Sequence, residues 1–399
     1  MRGISPYFVF FIYITIIFSS CKTQKSVTKA TKPAPEIDTV KVELEVEKDT
    51  IPIDTIQKTI EIDTIAVIPP TPKKDSIIIT GVGDIMLGTN FPNKGYLPPN
   101  QGKNILAGIS SIFEGADIVF GNLEGVILDS GGTQKNCRNP KACYLFRSPE
   151  YMGDRLKEAG FNLMSVANNH AGDFGWEGRK NTGKVLDTLG IVFAGNELLP
   201  YTVFTKDSIR YGFAAFAPNK GTPNINNISL AKKTIAHLDS ISDIVIVSFH
   251  GGAEGSDYTH VPREHEYFYG EDRGDVYHFA HTMIDTGADI IFGHGPHVPR
   301  AIEIYKDRFI AYSLGNFATY ARFNLRGANG LAPVARIIVN RKGEFLNGQI
   351  ISCKQIGWGV PKIDTEHTAA GLIRDLTKKD LPEVGLTIDE KGFISYLHQ

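Results

Sequence analysis

The stretch Ser165-Val166-Ala167-Asn168-Asn169-His170-Ala171-Gly172-Asp173-Phe174-Gly175 decides how this chain is read. The apolar run Phe161-Asn162-Leu163-Met164 precedes it and a helical pattern begins at Trp176, so the stretch reads as a strand running into a polar turn. At the carboxyl end of a strand in an open α/β sheet, side chains project into the crevice where ligands bind. Two amides, an imidazole and a carboxylate gathered there are placed for chemistry. An Asn- and Gly-rich turn is also an ordinary loop composition, so the functional reading draws its weight from similar strand ends elsewhere.

Four such ends follow from the same pattern. Ser76-Ile77-Ile78-Ile79-Thr80-Gly81-Val82-Gly83 leads to Asp84, and Asp117-Ile118-Val119-Phe120 leads through Gly121-Asn122-Leu123 to Glu124. Asp243-Ile244-Val245-Ile246-Val247-Ser248-Phe249 is the clearest buried strand of the chain; it delivers His250, with Glu254 four residues on. Ala288-Asp289-Ile290-Ile291-Phe292 leads to Gly293-His294-Gly295-Pro296-His297. There Gly permits close backbone approach and Pro fixes the turn, which together aim both imidazoles inward. His237, His278, His281, His367 and His398 lack such a context and read as helix or tail residues.

Between these ends, helical patterns are expected at 103–114, 148–160, 178–189 and 229–238 and around His278 and His281, with a further strand at 191–194. Residues 201–204 and 208–216 read as a hairpin about Lys206-Asp207. Strands alternating with helices predict a mainly parallel α/β sheet with helical crossovers.

Asp84, Glu124, Asn169, His250, His294 and His297 form a mixed oxygen and nitrogen donor set. Such a set suits a divalent transition cation, Mn, Fe or Zn, better than Ca, and it lacks the thiolates of a structural zinc site. The expectation is a catalytic centre holding one or two ions.

The chain has 399 residues, 42% of them hydrophobic, enough to bury a substantial core. Its 42 basic and 44 acidic residues give a formal net charge of −2, which offers no electrostatic footprint for nucleic acid and excludes that partner class. At the N-terminus, Arg2 precedes an apolar run over 7–18 and then Ser19-Ser20-Cys21. The run is shorter than the roughly 20 residues of a membrane-spanning helix, so 1–21 reads as a secretory signal. Small residues just before a Cys resemble a bacterial lipobox, with Phe18 departing from its usual Leu; Cys21 is then the lipidation site, and the protein is expected to be exported and lipid-anchored to a bacterial membrane of the cell envelope. Residues 22–75 are rich in Lys, Thr, Glu, Asp and Pro, with Ile53-Asp54-Thr55-Ile56 echoed by Ile62-Asp63-Thr64-Ile65, and read as an extended linker. A folded domain over 76–352 and a partly helical tail over 353–399 complete the expected division.

Of the four cysteines, Cys137 and Cys143 flank a five-residue loop and, in an exported chain, read as a disulfide. Cys353 reads as a free buried thiol.

The blocks Gly83-Asp84, Asn122-Leu123-Glu124-Gly125, Ala167-Asn168-Asn169-His170, His250-Gly251-Gly252-Ala253-Glu254, Gly293-His294-Gly295-Pro296-His297 and Ser313-Leu314-Gly315-Asn316-Phe317 resemble, in order and spacing, the CapA-type poly-γ-glutamate capsule synthesis proteins, relatives of the calcineurin-like metallophosphoesterases. The resemblance covers about 77–317. It implies a four-layer α/β/β/α sandwich with a metal centre at the strand ends. Asp84 matches the first metal-binding Asp, Glu124 a bridging carboxylate, Asn169 and His170 the pair of ligand and catalytic imidazole, and His250, His294 and His297 the remaining metal imidazoles. Asn122, Glu254 and Asn316 lie within the matching blocks and are expected to face substrate. One departure stands out: Met86 occupies the position where a second metal-binding His is usual, so one metal subsite has fewer ligands.

These parts imply hydrolysis or group transfer, with His170 donating a proton to the leaving group and Asp173 orienting that imidazole. The family name implies an anionic polymer, or another phosphoester or amide, as substrate, and capsule synthase subunits as partners. The competing expectation is a non-enzymatic surface scaffold of such a synthase complex that retains the fold.

Overall fold

The computed structural model describes residues 75–137 and 143–396. Cys21, the signal and the linker up to residue 74 lie outside the described residues.

Two large sheets organise the domain. The first has nine strands, with the order Leu386–Ile388, Phe393–Tyr396, Phe345–Ile351, Val334–Asn340, Ser76–Met86, Ile118–Leu123, Leu163–Ser165, Val192–Ala194, and with Asn316–Thr319 joined to Ser76–Met86 off this path. The second has six, with the order Ile302–Tyr305, Arg308–Ala311, Ile290–His294, Ile244–His250, Ile209–Phe216, Tyr201–Lys206. Each has a parallel centre: Ser76–Met86 runs parallel to Ile118–Leu123, and Ile290–His294 parallel to Ile244–His250. Antiparallel strands sit at the flanks. The hairpin expected about Lys206-Asp207 is present, but Lys206 pairs with Ile209, so the two-residue turn is Asp207-Ser208. Both turn residues have positive φ (49° and 62°), the backbone that matches the twist of a tight hairpin.

One apolar cluster joins residues of both sheets, including Ile79, Phe120, Phe213, Ile246 and Phe292. Phe120 and Phe292 stack across it with ring centroids 4.9 Å apart. A second cluster packs the nine-stranded sheet against residues of the Tyr151–Glu158 and Gly175–Thr188 helices, through Met152, Leu156 and Leu186. A third packs the six-stranded sheet against Ile228–Ile241, Val276–Thr286 and Thr368–Asp380, through Ile235, Leu238, Phe279, Met283 and Leu376. The architecture is a mixed α/β fold.

Two expectations need correction. Residues 103–114 form turns and a short 3-10 segment, Ser110–Phe113, in place of an α-helix. The apolar spacing was read correctly, since Ile105, Leu106, Ile109, Ile112 and Phe113 are buried. Gly102, Gly108, Ser110 and Ser111 supply too little helix propensity to hold the α form. The division at 352/353 also fails: Phe393–Tyr396 pairs with Phe345–Ile351, and Ile373, Ile388 and Ile394 enter the inter-sheet cluster. Residues 353–396 are therefore part of the domain. Cys353 begins the strand Cys353–Ile356 and is a free, fully buried thiol. Cys137 and Cys143 are joined in a disulfide with Cα atoms 5.9 Å apart.

Candidate metal centre

Parallel strands of a sheet share a direction, so their carboxyl ends lie at one edge and bring residues far apart in sequence together. In the first sheet Asp84 pairs with Asn122 on one neighbour and with Asn316 on the other. In the second, His294 is in register with His250. The close approach at Asp84 depends on Gly83, because a Cβ there would lie 2.0 Å from the Gly315 carbonyl oxygen, the group that accepts from the Asp84 amide.

Asp84 is completely buried. Its Oδ1 accepts from Asn122 Nδ2 at 2.8 Å and lies 3.1 Å from His294 Nδ1; its Oδ2 lies 2.8 Å from His297 Nδ1. Burial opposes its charge, yet the hydrogen bonds and positive potential of His294 and His297 prevail and hold the carboxyl well below the usual carboxylate range. The effect on His297 is the converse: burial alone would lower its pKa, but Asp84 raises it to about 9. Asn122 bridges the two acids, since its Nδ2 also donates to Glu124 Oε2 at 2.7 Å. Glu124 Oε1 lies 3.4 Å from His250 Nε2. Burial works against the Glu124 charge, and His250 overcomes it and lowers the pKa. His250 is itself lowered, by burial in the first place, which favours the neutral imidazole that ligates metals.

His297 reaches the cluster through a strained turn. Its φ is +59°, uncommon for a residue with a Cβ. Its carbonyl is held by the Nδ2 groups of Asn316 at 3.1 Å and Asn329 at 3.4 Å. The preceding Gly295 has φ +116°, and a Cβ there would meet the Gly251 backbone at 2.5 Å. Strain of this kind persists where the surroundings over-determine it, and it clusters at functional sites.

Ligand atoms of Glu124, His250 and His297 all lie within 4.8 Å of one another. Buried and without a hydrogen-bond partner are Glu124 Oε1, Asn169 Oδ1, His250 Nε2 and His294 Nε2. Orphaned buried polar atoms are costly, and these four are oxygen and imidazole donors of the kind a divalent transition ion takes. The residues therefore fit such an ion. Met86, two residues beyond Asp84 in the same strand, is buried and offers only a thioether.

His170 Nδ1 lies 2.7 Å from Asp173 Oδ2, which also accepts from the Phe146 amide at 2.8 Å. This engages Nδ1. The His170 ring packs on Phe146 at 4.3 Å, Phe146 stacks on Phe323 at 5.1 Å, and Phe323 lies 5.7 Å from His297. An aromatic wall thus connects the His170–Asp173 pair to the imidazole cluster. On the other side, Asn168 Nδ2 donates to Asn122 Oδ1 at 3.1 Å and to the Leu123 carbonyl at 2.8 Å, while its Oδ1 accepts from the His170 amide.

The three residues expected to face substrate are all engaged within the protein. Asn122 is buried between the acids. Asn316 donates to the His297 and Asn329 carbonyls, and its Oδ1 is buried without a partner. Glu254 pairs with Arg273 at 3.1 Å. Arg273, Asn168, Phe146 and Phe323 have structural roles here that the sequence reading did not assign. Asn168 was within view, beside Asn169. Arg273 is almost wholly buried, with its Nη2 3.5 Å from His250 Nδ1, but it lies in a charged loop whose spacing carries no signal.

A family model described as "Bacterial capsule synthesis protein PGA_cap" matches residues 78–321, more than half of the chain. The chain belongs to that family. Relatives include the capsule biosynthesis protein CapA of Bacillus anthracis, 30% identical over 266 residues, with 61% of this chain and 60% of that protein covered. The PGA biosynthesis protein CapA of Bacillus subtilis is 32% identical over 260 residues, covering 61% and 63%. The match thus spans about three-fifths of those relatives' length. Among solved structures, the calcineurin-like phosphoesterase YfkN of Bacillus subtilis aligns over 77% of this chain and 98% of that one, at 12% identity and a TM-score of 0.41. For this family member, the matched segment contains every ligand candidate, from Asp84 to His297, and ends before the C-terminal strands that complete the nine-stranded sheet.

Proposed function

We propose that this protein is a metal-dependent hydrolase or transferase of the cell envelope, acting on an ester or amide bond in an anionic polymer during capsule synthesis or processing. The observation that carries the reading is the group of orphaned buried donors on Glu124, His250 and His294, set beside the Asp84–His297 pair and connected by the aromatic wall to His170 and Asp173, with Asn169 Oδ1 likewise buried without a partner. Asp84, Glu124, Asn169, His250, His294 and His297 would hold the cation, Mn, Fe or Zn. When bound, such an ion polarises a phosphoryl or acyl oxygen and lowers the pKa of water.

The remaining chemistry belongs to the chain's own residues. Asp173 fixes the orientation and tautomer of His170 through Nδ1, and His170 Nε2 passes a proton to the departing oxygen or nitrogen. Asn122 keeps two like-charged carboxylates together by donating to both. Phe146 and Phe323 exclude water from one side of the acid–base pair. We further propose that the protein is held at a membrane by lipid on Cys21 and works beside capsule synthase subunits. Among the described residues, no helix is long and apolar enough to cross a membrane.

The test is turnover of phosphodiester and γ-glutamyl amide substrates by protein supplied with Mn, Fe or Zn, against the same protein after chelation. Metal-dependent turnover of either class supports the reading. Bound metal with no turnover of any ester or amide would leave a scaffold role in its place.

A further inference from the structure

Arg322 is held unusually for a cation. Its guanidinium lies over the ring of Tyr96 at 4.6 Å and over that of Tyr144 at 4.9 Å. Its side chain makes no hydrogen bond or ion pair with any described residue. Neighbouring arginines are committed: Arg273 pairs with Glu254, Arg300 with Glu266, and Arg147 donates to Asn90 and to the Gly131 carbonyl. Contact with ring faces fixes where a guanidinium sits while leaving its N–H fork unused, because the attraction is to the π-face and not to a lone pair. The next residue, Phe323, is the one that packs on both Phe146 and His297. Arg322 is therefore half-buried next in the chain to the wall that joins His170 to the imidazole cluster, and none of its side-chain donors is engaged by a described residue.

We infer that Arg322, clamped between Tyr96 and Tyr144, binds a second oxyanion of the substrate, a carboxylate or phosphate that flanks the bond being cut. A planar fork of N–H donors matches either oxyanion in a bidentate way. The inference rests on the proposed reaction for its location, and it adds a requirement that the reaction alone does not impose: the substrate must carry negative charge beside the reacting group. A chain of repeating acidic units meets that requirement, and an isolated neutral ester does not.

Binding separates this inference from the proposed chemistry. Calorimetric titration of the full-length protein with a glutamate tripeptide, its glutamine counterpart and inorganic tripolyphosphate distinguishes carboxylate from phosphate as the source of charge. Wild type is expected to bind at least one of the two anions and to ignore the glutamine peptide. Arg322→Gln should weaken that anion by about tenfold or more, the share of a lost charge-assisted hydrogen bond. Arg322→Lys keeps the charge and loses the fork, and should fall between the two. An unchanged urea midpoint in Arg322→Gln excludes a folding defect, and it is expected because the side chain makes no hydrogen bond to a described residue. Equal affinity of wild type and Arg322→Gln for both anions, or no binding of either anion by wild type, would overturn the inference. Because the readout is binding, its outcome stands whether or not turnover is found.

Discussion

His297 Nδ1 lies 2.8 Å from Asp84 Oδ2, although 213 positions of chain separate the two residues. The contact joins the carboxyl end of a strand in one sheet to a turn that follows a strand in the other, so the two sheets must be assembled before the centre exists. Its partners also explain its electrostatics. An imidazole raised to about 9 beside a carboxylate held far below the usual range favours an ion pair at neutral pH, and under the proposed function a bound cation would take the place of the imidazole proton.

Asn122 is expected to matter for stability as much as for chemistry. Asn122→Ala leaves Asp84 and Glu124 without their shared donor and should lower unfolding free energy by about 1–3 kcal/mol. Asn122→Asp replaces that donor with a third carboxylate and should cost more, by like-charge repulsion. Urea unfolding measures both, and added Mn²⁺ should recover part of the Asn122→Asp loss because a cation offsets the surplus charge.

Under the proposed mechanism Asp173 acts through His170. Asp173→Asn removes the carboxylate from Nδ1 and should reduce kcat by roughly 10²–10⁴, with metal content unchanged because neither residue belongs to the donor cluster. Steady-state kinetics with parallel elemental analysis checks this, and a loss of metal in the variant would count against the assigned division of labour.

Cys353 should be chemically silent. Burial, with the nearby Asp364 carboxylate adding to it, pushes its thiol up to about 12, so almost no thiolate exists at neutral pH and the sulfur is out of contact with solvent. Iodoacetamide at about pH 8 should label it only after denaturation, as peptide mass spectrometry would show; rapid labelling of the folded protein would contradict its position in the core.

Cys21 bears on location. If it carries lipid, Cys21→Ser should move the protein from the membrane to the soluble fraction, since the acyl chains supply roughly 0.8 kcal/mol per buried CH₂. Retention of the variant on membranes after a high-salt wash would remove the lipid-anchor proposal.

Much of this fold could be read from local pattern. The strands ending at Asp84, Glu124, His250 and His294 are continuous apolar runs closed by Gly-containing turns, and a buried parallel strand leaves that trace in sequence. What escaped depends on partners distant along the chain. Leu386–Ile388 and Phe393–Tyr396 are strands of three and four residues, too short to show a period; Phe393–Tyr396 is placed by pairing with Phe345–Ile351, and Leu386–Ile388 by pairing with Phe393–Tyr396. Residues 103–114 have an apolar spacing that suits an α-helix and equally suits a series of turns over the same buried face, and only the glycines and serines discriminate. At the site, donor types were legible at each strand end, whereas the bridge made by Asn122, the left-handed backbone of His297 and the stacking of Arg322 on Tyr96 and Tyr144 appear only when separate elements meet.

The central claim is that this group of side chains is a metal centre, and metal content per chain tests it most directly. Elemental analysis of the purified protein should find a transition ion bound to wild type. It should find the ion depleted in His294→Ala and His297→Ala and retained in His170→Ala, whose imidazole is engaged by Asp173. Wild-type protein free of transition metal even after incubation with Mn, Fe and Zn, together with His294→Ala and His297→Ala variants that fold and function like wild type, would contradict it.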